Sequence, residues 1–184
     1  MTQHRSATAP APEALYDALL VTMTMAGDRR AAGRLHARWQ PRLLRTARRH
    51  TGDGELAAQA AQECWLAIWR GLPRLRDADR FAPWAFGILR RRCADIITVR
   101  ARDRASEAAA DEPCATSAPD DAIALRQAFA TLAPPGRLTA HLHFVEGLTL
   151  AEIAEVQQVP EGTVKSRLFH IRRQLRAALS GDDQ

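Results

Sequence analysis

Apolar residues recur at three- and four-residue spacing along nearly the whole of the 184-residue chain, and strand signals are almost missing. One tyrosine, few β-branched runs and no Asn-Gly turn leave little from which to build a sheet. An all-α fold is therefore expected. The periodicity lapses over one long stretch. From Ala105 to Asp121 the chain is mostly Ala, Ser, Thr and Pro, with five acids (Glu107, Asp111, Glu112, Asp120, Asp121) and no base. Such a stretch buries too little apolar surface to offset its ordering entropy, so it reads as a flexible acidic linker. The layout predicted is a loose tail over 1–12, a helical domain over 13–104, the linker over 105–121 and a smaller helical domain over 122–179.

Punctuation places the helices. One is expected from about Glu13 to Ala26, ending at Gly27-Asp28. The next runs from about Arg29 to His50, disturbed at Pro41 and stopped by Thr51-Gly52-Asp53-Gly54. A third spans about Glu55 to Arg70, closed by Gly71 and Pro73, and a fourth about Pro83 to Arg102. After the linker, periodicity resumes at Ile123, breaks at Ala133-Pro134-Pro135-Gly136 and continues in three segments to Leu179.

In the C-terminal block, Thr149-Leu150-Ala151-Glu152 has the pattern of a capping box and opens a short helix. Gln158-Val159-Pro160 breaks it, and a longer helix starts near Glu161. There Val164, Leu168, Ile171 and Leu175 share one face, while Lys165, Phe169, Arg172, Arg173 and Arg176 form a cationic stripe on another. A stripe like this can be merely solvated. The short capped helix before it makes the pair a helix-turn-helix, in which the second helix presents its N-terminal side chains to base edges and its arginines to phosphates.

The strings Glu146-Gly147-Leu148-Thr149-Leu150-Ala151-Glu152-Ile153-Ala154 and Val159-Pro160-Glu161-Gly162-Thr163-Val164-Lys165-Ser166-Arg167-Leu168 resemble region 4 of extracytoplasmic-function sigma factors, part of the sigma-70 family. The resemblance implies that this block reads the promoter −35 element. Lys165, Ser166 and Phe169 would lie nearest base edges, with Arg167, His170, Arg172 and Arg173 towards phosphates. Gln158 stands where the family usually has glycine, a residue that suits a left-handed backbone, so either some strain or a shifted turn is expected there.

The helix Glu55 to Arg70 carries a core stripe of Ala61, Trp65, Ile68, Trp69 and Leu72. Its other side is a mixed polar face of Gln59, Gln62, Glu63, Leu66 and Arg70. Gln62-Glu63-Cys64-Trp65-Leu66-Ala67-Ile68-Trp69-Arg70 is similar to the family's region 2.2, which implies packing of that face on the β′ clamp helices of core RNA polymerase. The family usually has acids near Ala58 and Gln59, and this chain has none at those two positions. The stretch Arg80 to Asp95 resembles regions 2.3 and 2.4, which implies melting and holding of the −10 element. Arg80, Arg90 and Arg91 would meet the backbone, and Trp84 and Phe86 are the candidate aromatic surfaces, with Trp84 read first as a core anchor and Phe86 left open. Arg91 replaces the family's usual asparagine. The eight arginines Arg29, Arg30, Arg34, Arg38, Arg42, Arg45, Arg48 and Arg49 cover more than one face of their helix and read mostly as solvated.

Other functions fare worse. The chain has no Gly-rich phosphate loop and no His-Glu-x-x-His, and the rings of His141 and His143, two residues apart on a helix, diverge. No catalytic residue, metal site or cofactor is expected. Cys64, Cys93 and Cys114 have no metal-ligand spacing. No apolar run approaches the roughly 18 residues of a membrane span, and the first residues lack the apolar centre of a signal peptide. A cytoplasmic protein without membrane insertion is expected. The net charge of +5 is modest, and only Lys165 among the 26 basic residues is lysine. The resemblance implies core polymerase (β′ clamp helices and β flap) and promoter DNA as partners, with an anti-sigma factor as regulator. The rival reading is a helix-turn-helix regulator that never engages polymerase.

Overall fold

A computed structural model describes residues 12–106 and 132–180. Among these residues there are seven α-helices, two single-turn 3₁₀ segments and no strand. The N-terminal block holds α1 (Pro12–Met25), α2 (Arg29–Thr51), α3 (Gly54–Gly71) and α4 (Phe81–Ser106). The 3₁₀ turns Leu72–Arg74 and Ala78–Arg80 join α3 to α4. The C-terminal block holds α5 (Pro134–Phe144), α6 (Leu150–Gln157) and α7 (Glu161–Ser180). Most of the acidic linker, from Glu107 onward, lies outside the described residues, as do the tail over 1–11 and the segment from Ile123 to Thr131.

Local chemistry sets the helix ends. The Asp28 carboxylate accepts from the amides of Arg30 and Ala31, and Asp53 does the same for Glu55 and Leu56. Between them Gly52 closes α2 at φ 73°, a left-handed position that suits a residue without Cβ. Helix α2 runs unbroken through Pro41, which is exposed, so the missing donor and the ring face solvent rather than core. Helix α4 starts at Phe81, two residues before Pro83, and extends to Ser106, beyond the expected end at Arg102.

The core of the N-terminal block is aromatic. Trp39 of α2 is fully buried, with the Phe81 ring edge-on at 4.8 Å and Phe86 tilted at 5.6 Å. From α3 come Ala57, Ala60, Ala61, Cys64, Trp65 and Ile68, each 5% exposed or less. The Trp65 indole N–H donates to Gln40 Oε1 at 2.6 Å, satisfying the one polar atom that this ring brings inside. Trp84 is half-buried, stacked obliquely on Phe81 and pressed against Gly71, where an added Cβ would come within 2.9 Å of the indole. In the C-terminal block Val164, Leu168 and Ile171 of α7 close over Ile153 and Val156 of α6 and Leu138 and Leu142 of α5.

The two blocks do not stand apart. Helix α6 packs on α4 and α5 packs on α2, so the apolar interior is one continuous cluster. The linker composition predicts two domains but not this face between them.

Candidate nucleic-acid and polymerase interfaces

The turn between α6 and α7 orients the long second helix. Thr149 Oγ1 accepts from the Glu152 amide while Glu152 accepts from the Thr149 amide at 2.8 Å, so the expected capping box is present. At the other end of α6, Gln158 adopts φ 55° and ψ 47°, the left-handed state expected where glycine is usual. The Val159 amide then donates to Ala154 O and the Thr163 amide to Pro160 O, at 3.0 and 2.9 Å. Gln157, 7% exposed, exchanges hydrogen bonds with Thr139 of α5 and accepts from Arg167 of α7 at 2.6 Å. One buried amide side chain thus ties all three helices together.

Along α7, Lys165, Ser166, Phe169, His170, Arg172 and Arg173 are exposed, Phe169 by 64%. A phenylalanine this bare on a rigid helix among cations is poorly explained by folding. Arg172 sits against His143 and over the Phe144 ring at 5.8 Å. Arg167 differs from the rest of the predicted set. It is half-buried and turned inward to Gln157, so in this conformation its guanidinium braces the turn.

On α4 and the 3₁₀ turn that precedes it the predicted residues divide. Arg91 is exposed. Arg80 is exposed but paired with Glu155 of α6, and Arg90 is half-buried and donates to Gln158 Oε1 at 2.7 Å. Phe86 corrects the sequence reading. It is 1% exposed, because its position on α4 falls on the same face as Leu89 and Cys93, against Trp39. A ring locked there has no free surface for a base to stack on.

Helix α3 presents Gln59, Gln62, Leu66 and Arg70 to solvent, with Glu63 half-buried and accepting from Gln59 Nε2 at 3.0 Å. Leu66 is 50% exposed at the centre of this face. Beside it runs a groove between α3 and α4 lined by Leu56, Ile96, Val99 and Arg100. Its rim includes Asp53, Glu55, Glu63 and Asp95. Positions 58 and 59 carry no acid, yet the fold gathers carboxylates from the α3 N-terminus and from α4 along the same side.

Sequence reasoning missed the polar cluster between the blocks. Glu146, whose side chain is 2% exposed, lies in the loop before α6 and receives Arg42 Nε at 2.8 Å, with Arg45 at 3.7 Å. His141 Nε2 stands 3.3 Å from the same carboxylate and 2.9 Å from Thr46 Oγ1. Burial pushes the Glu146 carboxyl up, but His141 and Arg42 more than offset it and hold it below its ordinary range. Arg42 also meets Asp17 of α1 at 3.2 Å and covers the Trp39 ring at 3.9 Å, while Arg38 pairs with Asp17. These two arginines, from a set of eight read mostly as solvated, are structural. Cys64 and Cys93 are buried, and burial pushes both thiols up to about 12, which keeps them protonated and inert. No helix among the described residues is long and apolar enough to cross a membrane.

Known proteins share this arrangement. The model for sigma-70 region 2 matches residues 35–105, and that for sigma-70 region 4 matches residues 123–175. The ECF RNA polymerase sigma factor SigM of Mycobacterium tuberculosis is 32% identical over 162 residues, covering 86% of this chain and 82% of that protein. The RNA polymerase sigma-H factor of Pseudomonas aeruginosa is 27% identical over 180 residues, covering 89% of this chain and 93% of that protein. Among solved structures, the sigma factor RpoE in complex with the anti-sigma factor NepR from Bartonella quintana superposes with a TM-score of 0.70 at 19% identity, over 82% of this chain and 97% of that one. CnrH in complex with the cytosolic domain of CnrY gives 0.65 at 24%, over 91% and 99%. At these identities the two structures speak to the fold alone. The matched regions and the SigM likeness together settle the family: the chain belongs to the extracytoplasmic-function sigma factors of the sigma-70 family.

Proposed function

We propose that the chain is a promoter-specificity subunit of RNA polymerase, which binds the core enzyme through α3, reads the −35 element with α7 and holds the opened −10 element with α4. The observation that carries most weight is the division of α7. Val164, Leu168 and Ile171 are 0–3% exposed, while Lys165, Ser166, Phe169 and His170 stand free at the start of the helix, where a recognition helix meets base edges. A DNA-binding regulator needs only this half. The face of α3, with a half-exposed leucine amid amides and acids, supports the polymerase reading, because an apolar centre inside a polar rim is the pattern of a protein docking site. The β′ clamp helices are the partner proposed for it, and the β flap the partner for the C-terminal block. An anti-sigma factor is proposed as the external regulator on the strength of the family likeness.

Glu63→Lys combined with Leu66→Asp tests the α3 assignment. Losing the leucine contact and inverting one charge should weaken core polymerase binding at least about tenfold, since burying half a leucine is worth on the order of 1 kcal/mol before the charge reversal is added. Helicity should be unchanged, because both side chains lie outside the core. Full binding by a folded double variant would contradict the assignment.

A further inference from the structure

A cavity of about 240 Å³ opens beside the start of α5, and its lining combines two kinds of residue. His50 of α2, Arg90 of α4 and Arg167 of α7 are basic, whereas Pro134, Pro135, Leu138 and Val159 are apolar. No carboxylate is among the described residues that line it. Both arginines are half-buried, and the partners recorded for them are neutral: Arg90 donates to Gln158 Oε1 at 2.7 Å and Arg167 to Gln157 Oε1 at 2.6 Å. Arg90 Nε is buried without a hydrogen-bond partner. Elsewhere the fold answers such cations with acids, Arg42 with Asp17 and Glu146, and Arg80 with Glu155. Here two guanidiniums share one recess with no counter-charge. The neighbouring imidazole registers it: burial first, and then Arg90, push His50 down, so near neutral pH it adds no third charge. Water can fill a space of this size but cannot neutralise it.

We propose that this cavity is a binding site for a small phosphate monoester, with Arg90 and Arg167 on the phosphoryl oxygens and the organic group against Pro134, Pro135, Leu138 and Val159. Two guanidiniums match the charge of a phosphate monoester better than that of a single carboxylate, and their planar forks suit its oxygens. The prolines that begin α5 bring no amide N–H, so that end of the helix contributes contact surface rather than donors. The volume lies just below the range of ordinary ligand pockets, which limits the organic group to about one ring. The site stands independently of the promoter-binding roles proposed above.

Calorimetric titration of the full chain with phenyl phosphate, inorganic phosphate, benzoate and phenol tests it, with the His50 ring signals in NMR spectra as the local reporter. Phenyl phosphate should bind at one site and move the His50 signals, and phenol should do neither. Inorganic phosphate should bind at least about threefold more weakly, because no ring is buried. Arg90→Gln and Arg167→Gln should each weaken phenyl phosphate roughly tenfold or more, the effect of losing one charge-assisted hydrogen bond. Arg91, exposed and outside the lining, is the control, and Arg91→Gln should change the affinity by less than about twofold. Circular dichroism checks that each variant is folded; the two arginines lie in different blocks, and the His50 reporter needs neither variant. Unmoved His50 signals overturn the site, as do folded Arg90→Gln and Arg167→Gln variants that bind like the wild type. An equal loss in Arg91→Gln overturns it in favour of diffuse surface charge. Benzoate bound as tightly as phenyl phosphate overturns the assignment to phosphate.

Discussion

Replacing Glu146 by glutamine keeps the shape of the side chain and removes its charge from a site with 2% exposure. The carboxylate has Arg42 at 2.8 Å, His141 at 3.3 Å and Arg45 at 3.7 Å. Breaking a fully buried ion pair typically costs about 3–5 kcal/mol. Three features lower that figure here. The Arg42 side chain is 21% exposed and keeps Asp17 as a second partner, Arg45 is half in solvent, and the amide oxygen still accepts one hydrogen bond. A loss of about 2 kcal/mol in unfolding free energy is therefore expected, near the difference between a charge-assisted and a neutral hydrogen bond plus a residual Coulomb contribution. Denaturant unfolding of the full chain at neutral pH, followed by circular dichroism, measures it. The pH dependence adds a check. The folded carboxyl lies below its ordinary value of 4.5, so it binds protons less readily folded than unfolded. Its contribution is present at neutral pH and is lost as the pH falls below about 4.5 through the folded value. The deficit of the variant should shrink over that range. A variant within about 0.5 kcal/mol of the wild type at neutral pH would refute the role given to this carboxylate, since that is the scatter of ordinary surface substitutions.

Two other outcomes follow from named side chains. Lys165→Ala and Phe169→Ala should each cost about 1–3 kcal/mol in −35 duplex binding and relax specificity locally, whereas Arg173→Ala should weaken all duplexes alike; equal, sequence-independent losses in competition assays would mean that α7 is wrongly oriented. His50 is pushed down by burial and by Arg90, so the unfolded chain takes its proton first, and stability should fall as pH drops below about 6.5 towards the folded value. Thermal melts across that range should slope less in His50→Gln, and identical slopes would place the dependence elsewhere.

The parts of this molecule legible in the sequence are those set by short-range periodicity. The apolar and cationic stripes of α7, the core face of α3 and the capping box at Thr149 all follow from spacings of three and four residues, and the structure reproduces them. That Gln158 replaces the usual glycine at this turn was legible too, but whether it would be strained or shift the turn was not, and its partner Arg90 lies 68 residues away with no local pattern to announce it. Arg42 and Glu146, 104 residues apart, were hidden for the same reason, and Arg42 looked like one more solvated arginine on a crowded helix. Phe86 shows the limit of residue type as evidence. An aromatic beside arginines suits single-stranded DNA, yet its place in the helical repeat put it in the core. The acids of the α3–α4 groove needed the fold to complete them, because Asp53, Glu55 and Glu63 belong to α3 and its cap whereas Asp95 comes from α4.

Promoter-directed transcription by purified components tests the central claim most directly. Core RNA polymerase from the source bacterium is mixed with the full chain and a library of genomic promoter fragments, and run-off transcripts are sequenced. The account predicts transcripts from a restricted set of start sites that core polymerase alone does not use. They should depend on a shared −35 element and be lost with Glu63→Lys/Leu66→Asp. Binding of the chain to those fragments with no transcript above the core-only background would contradict it and leave a DNA-binding regulator in its place.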